Sequence, residues 1–298
     1  MNNFDYKVKR NEDCILIDID NWLQNEEQLI SIQKISGRLT PTCITEVLDL
    51  YIKSPQWEGC PLQKGDKVLI SQVATDVAPF RNFKIENNDR YCNVPFTQVM
   101  GTFNNNTLTM LYDKVLIKKE EVQISSLTMK SNMMVGKVVK VGTNSFDKKG
   151  NSVPLQVKIG DRVLVTDNVS TEVTLNHEKY YAVEERMIVG IFKNDLSIEN
   201  MTLINKSILL KPYIATHVLN STLLVAPAIN YDDLDYSDIN NRDLFKIYYI
   251  DKNLSKLQKN DIVLLRRDYT NYVYYGQEKF HILNGYEYIS AKINEKEK

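Results

Sequence analysis

The nine residues VKIGDRVLV, at positions 157–165, occur three times in this chain with small changes. Near-copies read LQKGDKVLI at residues 62–70 and LQKNDIVLL at residues 257–265. The aspartates of the three copies are Asp66, Asp161 and Asp261. They stand 95 and 100 residues apart, an interval that fits a small independent domain and is too long for a solenoid repeat.

Each copy of this phrase reads as a turn followed by a strand. Gly65 and Gly160 precede the aspartate in two copies, where a positive φ would be needed, and Asn260 is the usual substitute in the third. The residues after the aspartate are β-branched and aliphatic, which favours a strand whose side chains alternate between two faces. We therefore interpret the phrase as a repeated structural element of the fold, in preference to a binding motif.

A larger frame surrounds each copy. The apolar opening stretches are residues 13–19, 113–119 and 206–212. The closing stretches are residues 90–103, 179–192 and 279–293. Short β-branched runs separated by turn residues are typical of all-β sandwiches and barrels. The sequence thus predicts an all-β protein of three tandem small β-barrel domains, at residues 1–105, 106–200 and 201–298.

Composition narrows the class of partner. With 37 basic and 38 acidic residues among 298, the net charge is −1, so the chain lacks the basic footprint of a nucleic-acid-binding protein. No apolar run reaches the roughly 18 residues of a membrane span, and the polar start is unlike a signal peptide. Four cysteines fall in the first third without a C-x-x-C pair, which favours free thiols over disulfides or a zinc site. We expect a cytoplasmic protein with no nucleic-acid or membrane partner.

The middle copy contains Asp113-Lys114-Val115, the GKVVKVG stretch at residues 136–142, the phrase at residues 157–165, and a closing segment at residues 180–191. Through these residues it resembles a complete subunit of the GroES-type co-chaperonin family. The resemblance implies a small irregular β-barrel for each third of the chain, since the outer copies share the same anchors. It also implies a chaperonin as partner, contacted through a loop after the first strand that carries a hydrophobic tripeptide.

The place of that loop holds residues 122–138, where Leu127-Thr128-Met129 is the candidate tripeptide. The loop is shorter than in the family and lacks flanking glycines, while the first copy carries an unlike insert at residues 22–43. We therefore expect a barrel whose docking device is eroded, and a larger oligomeric assembly. Three barrels per chain also fail to divide evenly into the family's sevenfold ring.

Two functional classes remain open on this basis. The preferred hypothesis is a non-enzymatic structural or assembly protein, specifically a bacteriophage virion component such as an auxiliary capsid protein. Its support is a composition rich in Asn, Lys, Ile and Tyr, as an AT-rich genome would encode. The alternative is a co-chaperonin that caps an ATP-driven chaperonin and assists protein folding.

No pattern of residues predicts catalysis, a cofactor or a metal. His177, His217 and His281 fall in different copies, and no phosphate-binding glycine loop follows a strand. The acidic stretch at residues 230–243 lacks EF-hand spacing, so a solvated loop is favoured over a calcium site. The chain is predicted to have no enzymatic activity.

Two stretches offer apolar surface to a protein partner besides the tripeptide. They are the insert at residues 22–43 and the tyrosine-rich strand near residues 266–277. Internal packing is the alternative for both stretches, and stacking on nucleic-acid bases is a further alternative for the tyrosine-rich strand. The candidate partner-binding residues are Trp22, Leu23, Leu29, Ile30, Leu127, Met129, Tyr272, Tyr274 and Tyr275.

Overall fold

A computed structural model describes the chain in a series of ranges. They are residues 13–18, 34–35, 38–39, 44–57, 59–71, 82–84, 90–105, 107–120, 127–129, 133–147, 149–166, 170–213, 224–225, 244–265, 272–275, 278–285 and 288–293. Within these ranges the regular structure is β, with short 3₁₀-helical turns and no α-helix. The predicted all-β class is confirmed for this part of the chain. None of the described segments is a helix long and apolar enough to cross a membrane.

The strands are given in chain order. The first ten are β1 (Cys14–Asp18), β2 (Lys34–Ile35), β3 (Arg38–Leu39), β4 (Ile44–Glu46), β5 (Asp49–Tyr51), β6 (Lys67–Ile70), β7 (Asn82–Lys84), β8 (Arg90–Pro95), β9 (Val99–Asn104) and β10 (Thr107–Met110). The next ten are β11 (Lys114–Lys119), β12 (Leu127–Met129), β13 (Met133–Val141), β14 (Ser145–Phe146), β15 (Ser152–Val153), β16 (Arg162–Thr166), β17 (Thr171–Leu175), β18 (Glu178–Glu184), β19 (Ile188–Phe192) and β20 (Met201–Leu203). The last seven are β21 (Ser207–Pro212), β22 (Leu224–Val225), β23 (Leu244–Ile250), β24 (Ile262–Leu265), β25 (Tyr272–Tyr275), β26 (Glu278–Asn284) and β27 (Ile289–Ile293). The 3₁₀-helical turns are Pro55–Trp57, Phe96–Gln98, Glu185–Met187 and Ile198–Asn200.

The chain divides into two compact units. The first comprises Met1–Lys118, Val138–Ile159 and Val169–Glu185. The second comprises Lys119–Lys137, Gly160–Asn168 and Arg186–Lys298. Residues 106–200 contribute to both units, and the domain boundaries near residues 105 and 200 stay a prediction.

In the first unit, four-stranded sheets run in the orders β5-β1-β8-β7 and β10-β9-β6-β4. Strand β18 also pairs with β11 and β17, and β14 forms a hairpin with β15. Within the insert at residues 22–43, the described residues form the β2–β3 pair. The core contains an aromatic group in which Trp57 lies 4.7 Å from Tyr112 and 5.6 Å from Phe146, measured between ring centroids.

In the second unit, β16 pairs with the first half of β13 and with β19, and β19 pairs with β20. An eight-stranded sheet follows the order β12-β25-β26-β21-β23-β24-β27-β22. One apolar core joins Leu164 and Val189 to Leu209, Val273 and Phe280. A second core packs the other side chains of β21, β23 and β24.

The same pairings recur at each copy of the repeated phrase. The opening strand pairs antiparallel with the closing strand as β1–β8, β11–β18 and β21–β26. The strand of the phrase pairs with the last strand as β6–β9, β16–β19 and β24–β27, each with a register shift near its end. The two outer-edge strands of the eight-stranded sheet are β12 and β22, so this sheet is open. Closed barrels are therefore absent from the described residues, because no strand pairing joins the edges of a sheet.

The turn before each phrase strand has the backbone that the sequence predicts. Gly65, Gly160 and Asn260 have φ values of 91°, 95° and 75°, which confirms the expectation of positive φ at this position. In the outer copies, the carboxylates of Asp66 and Asp261 accept a hydrogen bond from the main-chain N–H three residues earlier, at 2.7 and 2.9 Å. Asp161, like Asp66 and Asp261, immediately precedes the strand of its phrase. The turn chemistry thus fixes where each strand begins.

Two glycines let a following strand approach closely. A Cβ placed on Gly101 would lie 2.6 Å from the carbonyl oxygen of Thr109 in β10. A Cβ placed on Gly190 would lie 2.7 Å from Cγ of Met201 in β20. The corresponding position of β27 is Ala291, and its neighbouring strand is β22. Strands β9 and β19 therefore carry a glycine at the point where the next strand, β10 or β20, pairs with them.

Candidate partner-binding site

Two of the predicted partner-binding stretches lie side by side. Strand β12, which is the candidate tripeptide, pairs antiparallel with β25, the tyrosine strand. The opposed residues are Leu127 with Tyr275, Thr128 with Tyr274, and Met129 with Val273. The sequence placed these stretches in different copies and gave no reason to join them. Their pairing is the principal feature of the candidate site.

Strand β25 is anchored from its other edge and from the core. All four of its residues pair with β26, from Tyr272 opposite His281 to Tyr275 opposite Glu278. The side chain of Val273 is completely buried and belongs to the core that contains Phe280. Strand β25 is therefore a fixed part of the sheet, whereas β12 occupies the edge.

The side chains at the start of β25 form a mixed aromatic and basic group. The ring of Tyr272 lies 5.9 Å from that of His281, and Nζ of Lys279 lies 4.1 Å from the Tyr272 centroid. His281 also contacts Phe245, at 4.6 Å between centroids. Tyr272 is half-buried, so this group supports β25 and still reaches solvent.

The imidazole of His281 is neutral at neutral pH. Burial, with a smaller contribution from the nearby charge of Lys279, lowers its pKa from 6.5 to about 4. Its Nδ1 is buried without a hydrogen-bond partner in the described part of the chain. Protonating this ring would put a charge into an apolar setting beside a lysine, which is unfavourable.

An ion pair lies at the end of β11. Nε and Nη2 of Arg162 lie 2.8 and 2.7 Å from the same carboxylate oxygen of Glu120, which follows β11. The N–H of Glu120 donates to the carbonyl of Val135 at 3.0 Å. Sequence analysis missed this pair, although one signal was present: the residue after the phrase aspartate is Arg162 here but Lys67 and Ile262 in the outer copies.

The remaining predicted residues are placed less completely. Trp22, Leu23, Leu29 and Ile30 lie outside the described residues. The backbones of Leu127, Met129, Tyr274 and Tyr275 are described through their strand pairing. The role of all these residues in binding a partner stays a prediction.

One exposed apolar residue also escaped the sequence analysis. Ile159, in the turn of the middle phrase, is 64% exposed. The outer copies have Lys64 and Lys259 at this position, so comparison of the three phrases would have marked it. A single exposed isoleucine does not define an interface.

The described residues contain no cluster of three His, Cys, Asp or Glu side chains that could hold a metal ion. His177 is exposed in a turn, and His281 faces aromatic rings. Cys14 is buried and Cys60 is half-buried against Tyr112 and its neighbours.

Comparison with known proteins assigns the middle of the chain. The family model for the chaperonin 10 Kd subunit matches residues 107–192. Co-chaperonin GroES of Bifidobacterium longum (strain NCC 2705) is 35% identical over 91 residues, which are 28% of this chain and 94% of that relative. Co-chaperonin GroES of Desulfosudis oleivorans is 33% identical over 90 residues, covering 28% of this chain and 95% of the relative. Co-chaperonin GroES of Chlamydia caviae is 31% identical over 90 residues, covering 28% and 88%.

These relatives favour the co-chaperonin alternative over the preferred hypothesis of a bacteriophage structural protein. All of the relatives named above are co-chaperonins, and none of them supports a virion location or a capsid partner. The chain covers 88–95% of their length at 31–35% identity. It therefore belongs, through its middle part, to the chaperonin 10 Kd or co-chaperonin GroES family.

Proposed function

We propose that this protein is a co-chaperonin that binds a chaperonin through its middle segment. The observation that carries the proposal is the match of residues 107–192 to nearly whole co-chaperonin subunits. Co-chaperonins act by binding and catalyse no reaction, in agreement with the prediction of a non-enzymatic protein. The proposed partner is the chaperonin, which is a protein assembly, and we place this protein in the same cellular compartment as the chaperonin.

The proposal extends to the flanking segments as diverged copies of the same module. The recurring strand pairs support this, and so does one recurring main-chain hydrogen bond. The N–H groups of Phe96, Glu185 and Gly285 donate to the carbonyls of Asp13, Asp113 and Lys206, at 3.1, 2.7 and 2.8 Å. Three donor residues as different as phenylalanine, glutamate and glycine make the same main-chain hydrogen bond, which is the pattern expected of diverged copies.

The proposed contact to the chaperonin is the tripeptide that begins at Leu127. It lies between β11 and β13, in the interval that follows β11, the opening strand of the middle copy, within the family-matched residues. Apolar side chains on a short segment are suited to a hydrophobic groove, where a few residues supply most of the binding free energy.

The test is a nucleotide-dependent binding measurement with a purified bacterial chaperonin. The full chain should form a complex in the presence of nucleotide, detected by mass photometry, and Leu127→Asp should weaken it by about tenfold or more. Ile52→Asp is the matched control, because it makes the same change at an exposed apolar residue, 40% accessible, of the first segment.

Absence of a complex with the unmodified chain would show that the co-chaperonin proposal is wrong. Equal affinities of Leu127→Asp and Ile52→Asp would place the anchor elsewhere in the chain. Far-ultraviolet circular dichroism on each variant checks that the fold is retained.

A further inference from the structure

The candidate docking tripeptide is itself a strand of the folded protein. All three of its residues are opposed to β25 in antiparallel register. Residues directly opposite each other in an antiparallel pair belong to the same face of the sheet. Position 129 therefore shares a face with position 273, where Val273 is completely buried. Alternation along the strand assigns position 127 to that face as well.

This arrangement conflicts with docking. The two apolar positions of the tripeptide, Leu127 and Met129, fall on the core-side face of a sheet, and one backbone edge is already paired with β25. A chaperonin that used the same positions would compete with β25 for them. Binding to either one excludes the other.

We propose that the tyrosine strand β25 is an intramolecular competitor of the chaperonin, which holds the docking tripeptide until β12 separates from it. This inference rests on the proposed co-chaperonin function and names the regulation of that site. The third segment would thereby control access to a site in the middle segment.

The lengths of the pairings indicate which strand moves. Strand β12 has three residues, all at an edge, and one partner strand. Strand β25 has four pairs with β26 and a core residue in Val273. Short edge strands open at a small fraction of the free energy of global unfolding, whereas strands anchored in a core do not. Strand β12 would therefore leave while β25 stays in the sheet.

Competition has a defined effect on affinity. If the chaperonin binds only the separated form, the measured dissociation constant is the intrinsic value divided by the fraction of separated molecules. Locking the pair should weaken binding, and the weakening should be reversible when the lock is removed.

The test is a reversible lock between opposed positions that spares the apolar anchors. The double variant Thr128→Cys/Tyr274→Cys places two thiols directly opposite each other across the β12–β25 pair. Oxidation should produce a cross-link that mass spectrometry locates, and chaperonin binding should fall by about tenfold or more. Reductant should restore it. The single variants Thr128→Cys and Tyr274→Cys, oxidised in parallel, control for each substitution and for the four native cysteines.

Hydrogen exchange supplies a readout that is independent of the lock. In the free chain, the amides of Leu127–Met129 that point towards β25 should be protected, and these are alternate residues because β12 is an edge strand. The amides of Tyr272–Tyr275 that point towards β12 or β26 should be protected as well. On chaperonin binding, the outer edge of β25 should lose protection. Binding that is unchanged by the cross-link, or the absence of any protected amide within Leu127–Met129 in the free chain, would overturn the inference.

The two proposals fail in different ways. If no form of the chain binds a chaperonin, the proposed function is wrong and the competition falls with it, even where the amides are protected. If the reduced and the oxidised forms bind equally, the function stands and the competition alone is wrong.

Discussion

The middle and third segments make the same main-chain contact at the end of a long strand and use different residues for it. In the middle segment, the N–H of Gly142 donates to the carbonyl of Lys114 at 2.8 Å. In the third, the N–H of Asp251 donates to the carbonyl of Ser207 at 3.0 Å. The backbone position is shared, but only one of the two sites carries a side chain.

The residues preceding the opening strand account for the difference. A Cβ on Gly142 would lie 1.9 Å from the carbonyl oxygen of Tyr112, so no side chain fits there. Asp251 is 2% exposed, and its carboxylate accepts hydrogen bonds from the N–H groups of Lys206 and Asn253, at 2.8 and 3.0 Å. Strand pairing fixes the backbone in both segments, while the neighbouring turn decides which side chain is tolerated.

The largest effect should come from filling the crowded site. We expect Gly142→Ala to lower the free energy of unfolding by about 3 kcal/mol or more, because main-chain atoms must move to admit the methyl group. Urea unfolding followed by circular dichroism measures the change. Gly190→Ala is a graded comparison, since the nearest atoms it would meet belong to the flexible side chain of Met201. An unfolding midpoint equal to that of the unmodified chain would contradict the crowding.

Removing the carboxylate from the third segment should have a smaller effect. Asp251→Ala leaves two main-chain N–H groups without their acceptor, which should cost about 2 kcal/mol in the free energy of unfolding. Asp251→Asn keeps one acceptor oxygen and should cost less. The same urea measurement applies, and equal losses in both variants would show that the hydrogen bonds to Lys206 and Asn253 are not what stabilises the turn.

The smallest expected effect is a difference between the two segments in how the free energy of unfolding depends on pH. His281 lies on β26 where the middle segment has Tyr181 on β18. Because burial lowers the pKa of His281 from 6.5 to about 4, the unfolded chain binds its proton more readily than the folded chain does. The contribution of neutral His281 to the free energy of unfolding is therefore fully present above about pH 6.5 and declines as the pH falls towards 4.

His281→Phe should remove this contribution and flatten the dependence of the unfolding free energy on pH between those values. Thermal melts at several pH values provide the measurement. An unchanged dependence would mean that other groups titrate in this interval. A Tyr181→Phe variant, in the corresponding position of the middle segment, should leave the slope as it is.

The turn of the repeated phrase could be predicted from sequence because its chemistry is local. Positive φ at Gly65, Gly160 and Asn260 follows from residue type and spacing alone. The β12–β25 pair could not be predicted, because its strands are far apart in the chain and their register is set by tertiary packing. The crowding at Gly142 likewise depends on where Tyr112 is carried by the preceding turn.

The preferred functional hypothesis found no support, for a related reason. The short loop around Leu127 suggested a lost docking device, and the composition suggested a bacteriophage origin, but neither observation identifies the residues that contact a partner. The family match over residues 107–192 reverses that preference. Loop length and composition are weak guides to function, because function depends on a few residues placed on the fold.

The glycines at positions 101 and 190 differ in how strictly each position excludes a larger residue. A Cβ on Gly101 would lie 2.6 Å from a main-chain oxygen of β10, whereas a Cβ on Gly190 would lie 2.7 Å from a side-chain carbon of β20. At position 101 the obstacle to a larger residue is a main-chain oxygen, so glycine alone fits there. At position 190 the nearest atoms belong to the flexible side chain of Met201, so a change of its rotamer would make room for a methyl group.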